Sequence, residues 1–243
     1  MRILSAIVLI SLLPGAAAAQ DNPRPKTKAD VEKIIHDYLM QHPEVVIEAA
    51  RKYQESQKAE ETKKAEQGIV SHMGQLLSDP ASPTGGADVS AGVVTIVEFF
   101  DYRCGFCKKM APSIAKYVNG SKIRLVYKEF PILGPDSTVA AKAALAARKQ
   151  GDYLKFHQDL MGLQGTITIA AIEKLAAAHN LDVAKLKADM EDPEIKSQLS
   201  TNEKLAAAIG VSATPSFVIG NELITGAMDD QEFQAKIAKL HKP

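Results

Sequence analysis

The sequence predicts an α/β domain with a helical block inserted among its strands and a helical segment in front of it. Three observations carry this expectation. The apolar run Val93-Val94-Thr95-Ile96-Val97-Glu98-Phe99-Phe100 leads into Cys104-Gly105-Phe106-Cys107, then a helix-like stretch over residues 108–118, then a second strand over 122–130. That is strand–helix–strand, which calls for parallel strands and a right-handed crossover. From Asp136 to about Ile209 the pattern is helical throughout. Thr214-Pro215 then opens a strand over 216–219, Gly220-Asn221 reads as a hairpin turn, residues 222–225 return, and a last helix covers roughly 229–240.

Taken in order, the chain starts with an address. Arg2 precedes an apolar stretch over 3–13, Pro14 and Gly15 break it, and Ala17-Ala18-Ala19 offers a cleavage site before Gln20. Residues 1–19 therefore read as a signal peptide, too short to span a bilayer, with an uncleaved anchor as the alternative. Export would put both cysteines in an oxidising compartment. Residues 20–28 are a linker. Thr27 with Asp30 resembles a capping box, and Val31, Ile34, Ile35, Tyr38 and Leu39 form a helical stripe that ends before Pro43. A second helix is expected to run to about Leu77, almost wholly polar over 54–67, with Gly68 and Gly74 as weak points. The turn-rich stretch 78–86 marks the expected boundary between an N-terminal segment, 20–78, and a domain, 79–243. In the inserted block, about 135–210, helices are expected over 140–147, 153–161, 169–178, 183–190 and 195–208.

Composition narrows the function. The 29 basic and 29 acidic residues balance to zero and tryptophan is absent, which argues against a nucleic-acid partner held through phosphates or stacked bases. Two cysteines in 243 residues do not make a disulfide scaffold. Three readings of Cys104 and Cys107 compete. A structural disulfide would close too short a loop to restrict the unfolded chain much. Half of a zinc site needs further ligands, and the six histidines show no metal spacing. Redox exchange explains the placement best, because a helix N-terminus offers unpaired N–H groups to a thiolate, the form that attacks disulfides.

The segment Glu98-Phe99-Phe100-Asp101-Tyr102-Arg103-Cys104-Gly105-Phe106-Cys107 resembles the active-site segment of bacterial thioredoxin-fold thiol–disulfide oxidoreductases, and more narrowly the DsbA-like group that includes Com1 and the suppressor-of-copper-sensitivity protein ScsC. Thr214-Pro215 matches the threonine and cis-proline opposite the dithiol in that fold, and the helical block matches the DsbA-like insertion. The resemblance covers Asp79 to the C-terminus; the N-terminal helices are similar to those of trimeric ScsC proteins. It implies a thioredoxin fold with a helical insertion, preceded by an N-terminal helical oligomerisation segment, in a periplasmic protein that needs no cofactor and no metal. The apolar stripe at 31–39 either packs on the catalytic domain or self-associates, and a trimer follows from the resemblance.

The resemblance also assigns roles. Cys104 is the attacking thiolate and Cys107 the resolving thiol. Thr214 and Pro215 hold a client peptide as an added strand, although an X-Pro bond is more often trans. Glu98, six positions before the first cysteine, would lie beneath the dithiol and pair with Lys128, moving protons for Cys107; the alternative is a simple buried ion pair or an exposed strand-edge acid. Gly105-Phe106 lacks the histidine of strong oxidants, while Arg103, Lys108 and Lys109 add positive charge nearby. This favours shuffling or reducing disulfides of exported cysteine-containing clients, with a membrane thiol reductase as electron donor. A DsbA-type dithiol oxidase and a Cu(I)-binding copper-tolerance protein are the alternatives.

Overall fold

The computed structural model describes residues 27–240 apart from Ala91 and Ser121. The expected signal peptide, most of the linker and His241 lie outside the described residues. Among the described residues no helix is long and apolar enough to cross a membrane. The chain divides into two compact units between Gln54 and Glu55.

In the first unit, helix α1 (Lys28–Gln41) starts on the anticipated box: Asp30 N donates to Thr27 Oγ1 at 3.2 Å and Thr27 N to Asp30 Oδ2 at 3.0 Å. These bonds satisfy two of the N–H groups that a helix start leaves open. No residue of α1 is buried; Val31, Ile34, Ile35 and Tyr38 are exposed and Leu39 is half-buried. Helix α2 (Glu44–Ser71) begins directly after Pro43, and the interruption that separates it from α3 (Met73–Leu77) falls at His72. The sequence predicts one helix to Leu77 with weak points at Gly68 and Gly74; the interruption lies between them. Gly68 itself answers a packing need, since a Cβ there would sit 2.6 Å from the Ala208 carbonyl oxygen.

The second unit is built on a five-stranded sheet in the order β1-β3-β2-β4-β5, formed by β1 (Thr84–Gly86), β2 (Val94–Phe100), β3 (Ile123–Glu129), β4 (Ser216–Ile219) and β5 (Glu222–Thr225). Strands β2 and β3 are parallel and every other pair is antiparallel. The central strands are apolar on both faces because both faces are covered. Edge strand β1 lies within the stretch read from sequence as turn only; its two glycines hide the strand pattern. Helix α4 (Gly105–Gly120) makes the crossover. The insertion comprises α5 (Pro135–Lys149), α6 (Tyr153–Gly162), α7 (Ile169–Ala178), α8 (Val183–Asp189) and α9 (Pro193–Ala208), and α10 (Asp230–Leu240) closes the chain. Thr168, Asp182 and Asp192 cap α7, α8 and α9 with side-chain oxygens.

Alternation along the strands divides the core. Ile96, Phe100, Leu125, Tyr127, Phe217 and Ile219 face α4, α10 and most of the insertion. Val97, Phe99, Val126, Phe130 and Val218 face the other way, against Ile69, Leu76, Leu205 and Ile209. Ile69 and Leu76 are fully enclosed there. Residues 55–77 thus fall in the second unit, and apolar side chains that precede the turn cluster at 78–86 fill the back of the sheet that follows it.

Candidate dithiol site

Strand β2 ends at Phe100 and delivers a short turn, 101–104, to the start of α4. Asp101, almost fully buried, organises that turn. Its Oδ1 accepts from Arg103 N and Ser137 Oγ, both at 2.7 Å, and its Oδ2 from Ile132 N and Leu133 N, both at 2.9 Å. One carboxylate therefore joins the cysteine turn, the loop after β3 and the start of α5. Charge-assisted bonds of this kind are stronger than neutral ones.

Cys104 immediately precedes α4. Cys107 N points at Cys104 Sγ from 3.4 Å, and Cys104 Sγ donates to the Thr214 carbonyl at 3.2 Å. The Thr214–Pro215 bond is cis. The two sulfurs are not bonded to each other; Cys104 is 6% exposed and Cys107 1%. Phe106, between them, is 64% exposed. Burial pushes the Cys107 thiol far up, a backbone hydrogen bond at Asp101 partly offsets this, and the Glu98 charge raises it further. Glu98 is itself buried on the α4 side of β2, and burial alone pushes its carboxyl up to about 8.

The structure brings Cys104, Cys107, Thr214, Pro215 and Glu98 together, and it does not bring Lys128 with them. The expected Glu98–Lys128 pair does not form. The parallel register sets Glu98 beside Tyr127 and Lys128 beside Phe99, so the period of two turns their side chains to opposite faces. Lys128 Nζ donates instead to Gln75 O at 2.8 Å, Ser82 Oγ at 2.6 Å and Asp79 Oδ2 at 3.0 Å, behind the sheet.

Sequence reasoning missed Asp101 and a second buried acid, Glu129. Tyr153 Oη donates to Glu129 Oε1 at 2.7 Å and Tyr102 Oη at 3.0 Å. The cue that singled out Glu98, an acid inside an apolar strand, applies equally to Glu129. Among the described residues no group of three or more His, Cys, Asp or Glu side chains converges as a metal site.

Fold and site together define a thioredoxin-like protein with a C-x-x-C dithiol. A model of the DSBA-like thioredoxin domain matches residues 95–238, and the chain belongs to that family. Residues 28–60 match the copper resistance protein ScsC N-terminal domain. A thioredoxin-like oxidoreductase from Silicibacter pomeroyi is 37% identical, covering 70% of this chain and 98% of its own, with a TM-score of 0.66. Proteus mirabilis ScsC in a transitional conformation is 27% identical, covering 88% and 96%, with a TM-score of 0.63. Among curated relatives, the Na(+)/H(+) antiporter NhaA 3 of Salinispora tropica is 25% identical over 147 residues, 59% of this chain and 22% of that protein. The chain thus spans about a fifth of the length of such relatives.

Proposed function

We propose that this chain is an exported, periplasmic thiol–disulfide oxidoreductase that isomerises or reduces disulfides in cysteine-containing clients. The observation that carries this reading is the contrast between the two sulfurs: Cys104 at a helix start, 3.2 Å from the Thr214 carbonyl, and Cys107 enclosed behind it. The Cys104 thiolate attacks a client disulfide, forming a mixed disulfide while the other client sulfur leaves as a thiolate. In isomerisation a client thiolate attacks the client sulfur of that bond, and Cys104 departs as thiolate with no net electron transfer. In reduction Cys107 loses its proton and attacks Cys104 sulfur, the client sulfur leaves and is protonated, and the protein retains the disulfide. Glu98, buried on the same face, is the group that takes the Cys107 proton.

The Thr214 backbone beside Cys104 supports docking of an extended client, and the exposed Phe106 ring adds apolar contact. Gly105-Phe106 supplies no histidine to hold the thiolate, which favours exchange over oxidation. The exposed α1 face and the match of 28–60 to the ScsC N-terminal domain support self-association, with a trimer following the resemblance. A membrane thiol reductase would return the dithiol to its reduced form. The test is the redox state of Cys104 and Cys107 in the native compartment, with insulin reduction by Cys104→Ala as companion. A reduced dithiol and an inactive variant are expected; an oxidised dithiol would assign a DsbA-type oxidase instead.

A further inference from the structure

Glu129 has no part in the exchange steps, yet it occupies the same face of the sheet as Glu98. It ends β3 and is 1% exposed. Both tyrosine hydroxyls go to Oε1, and the buried Oε2 has no hydrogen-bond partner. Tyr102 Oη also lies 2.9 Å from His157 Nδ1. Burial pushes the His157 imidazole down to about 3, so the ring is neutral. With the Tyr102 O–H given to Glu129, the contact with His157 calls for the tautomer protonated at Nδ1, which donates to the Tyr102 oxygen. Asn202 Nδ2, from α9, donates to the Glu129 carbonyl at 3.0 Å. An apolar fill would join these elements without burying a carboxyl whose second oxygen is bare, and such an exception calls for a reason.

We propose that Glu129 is a positioning residue for the dithiol: through Tyr102 it ties the Cys104 turn to the helical insertion, and it keeps its own proton once Glu98 has given one up. The register places Glu98 beside Tyr127 and Glu129 two residues further along the neighbouring strand, one side-chain step away on the same face. Burial pushes Glu129 up to about 8; the bonds from Tyr153 and Tyr102 pull it down, and the charges of Asp101 and Glu98 raise it. The groups facing it are Asp101 and Tyr102 from the turn, Glu98 from β2, Tyr127 from β3, and Tyr153 and His157 from α6. All are acids or neutral rings. Two acids so placed do not ionise independently: once one has lost its proton, the other holds its own more tightly. Glu98 can then accept from Cys107 while Glu129 keeps a proton on the same face.

This inference rests on Glu98 as the proton acceptor, and the test separates the two. The rate at which Cys107 resolves a mixed disulfide between Cys104 and glutathione is followed against pH in the wild type, Glu98→Gln, Glu129→Gln and Glu129→Leu. Loss of a step near pH 8 in Glu98→Gln is expected, and its persistence would remove the Glu98 reading. With that step assigned, Glu129→Leu, which takes the acceptor from Tyr102, should slow resolution several-fold, and Glu129→Gln, which keeps an acceptor there, should restore the rate; an unchanged rate in Glu129→Leu overturns the role of Glu129. Should Glu129→Leu fail to fold, carboxyl carbon NMR of the reduced wild type decides. Each of the two carboxyls should report both titration steps, and two independent single steps would overturn the coupling.

Discussion

Glu98 on β2 and Cys107 on α4 lie on the same side of the sheet, and burial first, with a charge on Glu98 adding to it, holds the proton on Cys107. The same burial makes Glu98 a liability at high pH. Its carboxyl has an ordinary value of 4.5 and is pushed up to about 8 in the fold. The folded state therefore retains a proton that the unfolded state has lost, and stability falls as pH rises from 4.5 to about 8, levelling off above. The loss should be of the order of a few kcal/mol. Urea unfolding at about pH 5 and about pH 9 should show a smaller difference in Glu98→Gln than in the wild type.

Lys128 should matter to stability and not to the pH dependence of exchange. Lys128→Met removes bonds to Gln75, Asp79 and Ser82 and should cost ~2 kcal/mol in denaturant unfolding. The pH profile of mixed-disulfide resolution should stay in place, because Lys128 faces the opposite side of the sheet from Glu98.

The two glycines near the end of α2 should respond in opposite directions. Gly68→Ala drives a methyl group against the Ala208 carbonyl and should destabilise the second unit by about 1–3 kcal/mol. Gly74→Ala meets nothing within 4 Å and should stabilise α3 by up to ~1 kcal/mol. Thermal unfolding of the two single variants measures both.

Asp101→Ala would leave Ile132 N, Leu133 N and Ser137 Oγ without their shared acceptor. A loss of roughly 3 kcal/mol is expected from chemical unfolding. Exchange with glutathione should slow as well, because the turn that presents Cys104 loses its anchor.

Truncation should separate assembly from folding. A chain lacking residues 20–54 should fold and run as a monomer in light scattering. One lacking 20–78 also loses Ile69 and Leu76, both fully enclosed behind the sheet, and should be destabilised by about 2–5 kcal/mol for each large side chain removed.

Local signals made much of this fold legible. The Thr27–Asp30 box, Pro43 and the apolar runs of β2 and β3 each act within a few residues, and the helices of the insertion fall close to their expected bounds. Facing was harder. That Glu98 and Lys128 diverge depends on the register of β2 against β3, which neither strand encodes alone. Glu129 meets Tyr153, Tyr102 and Asn202 from 24, 27 and 73 residues away, and nothing near Glu129 announces them. The approach of Thr214 to Cys104 spans 110 residues; its expectation came through family resemblance, not through spacing. The boundary after residue 78 is read from turn residues, while Ile69 and Leu76 answer to partners as distant as Val218.

Both outer strands of the sheet are short. β1 has three residues, two of them glycine, and β5 has four, beginning with an exposed glutamate. Long flat edges invite another chain to add hydrogen bonds without end, and brief or charged ones discourage it. A protein that, on the proposed reading, meets partly unfolded chains would otherwise risk nucleating their aggregation along its own flanks. With both edges blunted, the Thr214 backbone beside Cys104 is left as the proposed place for an extended client.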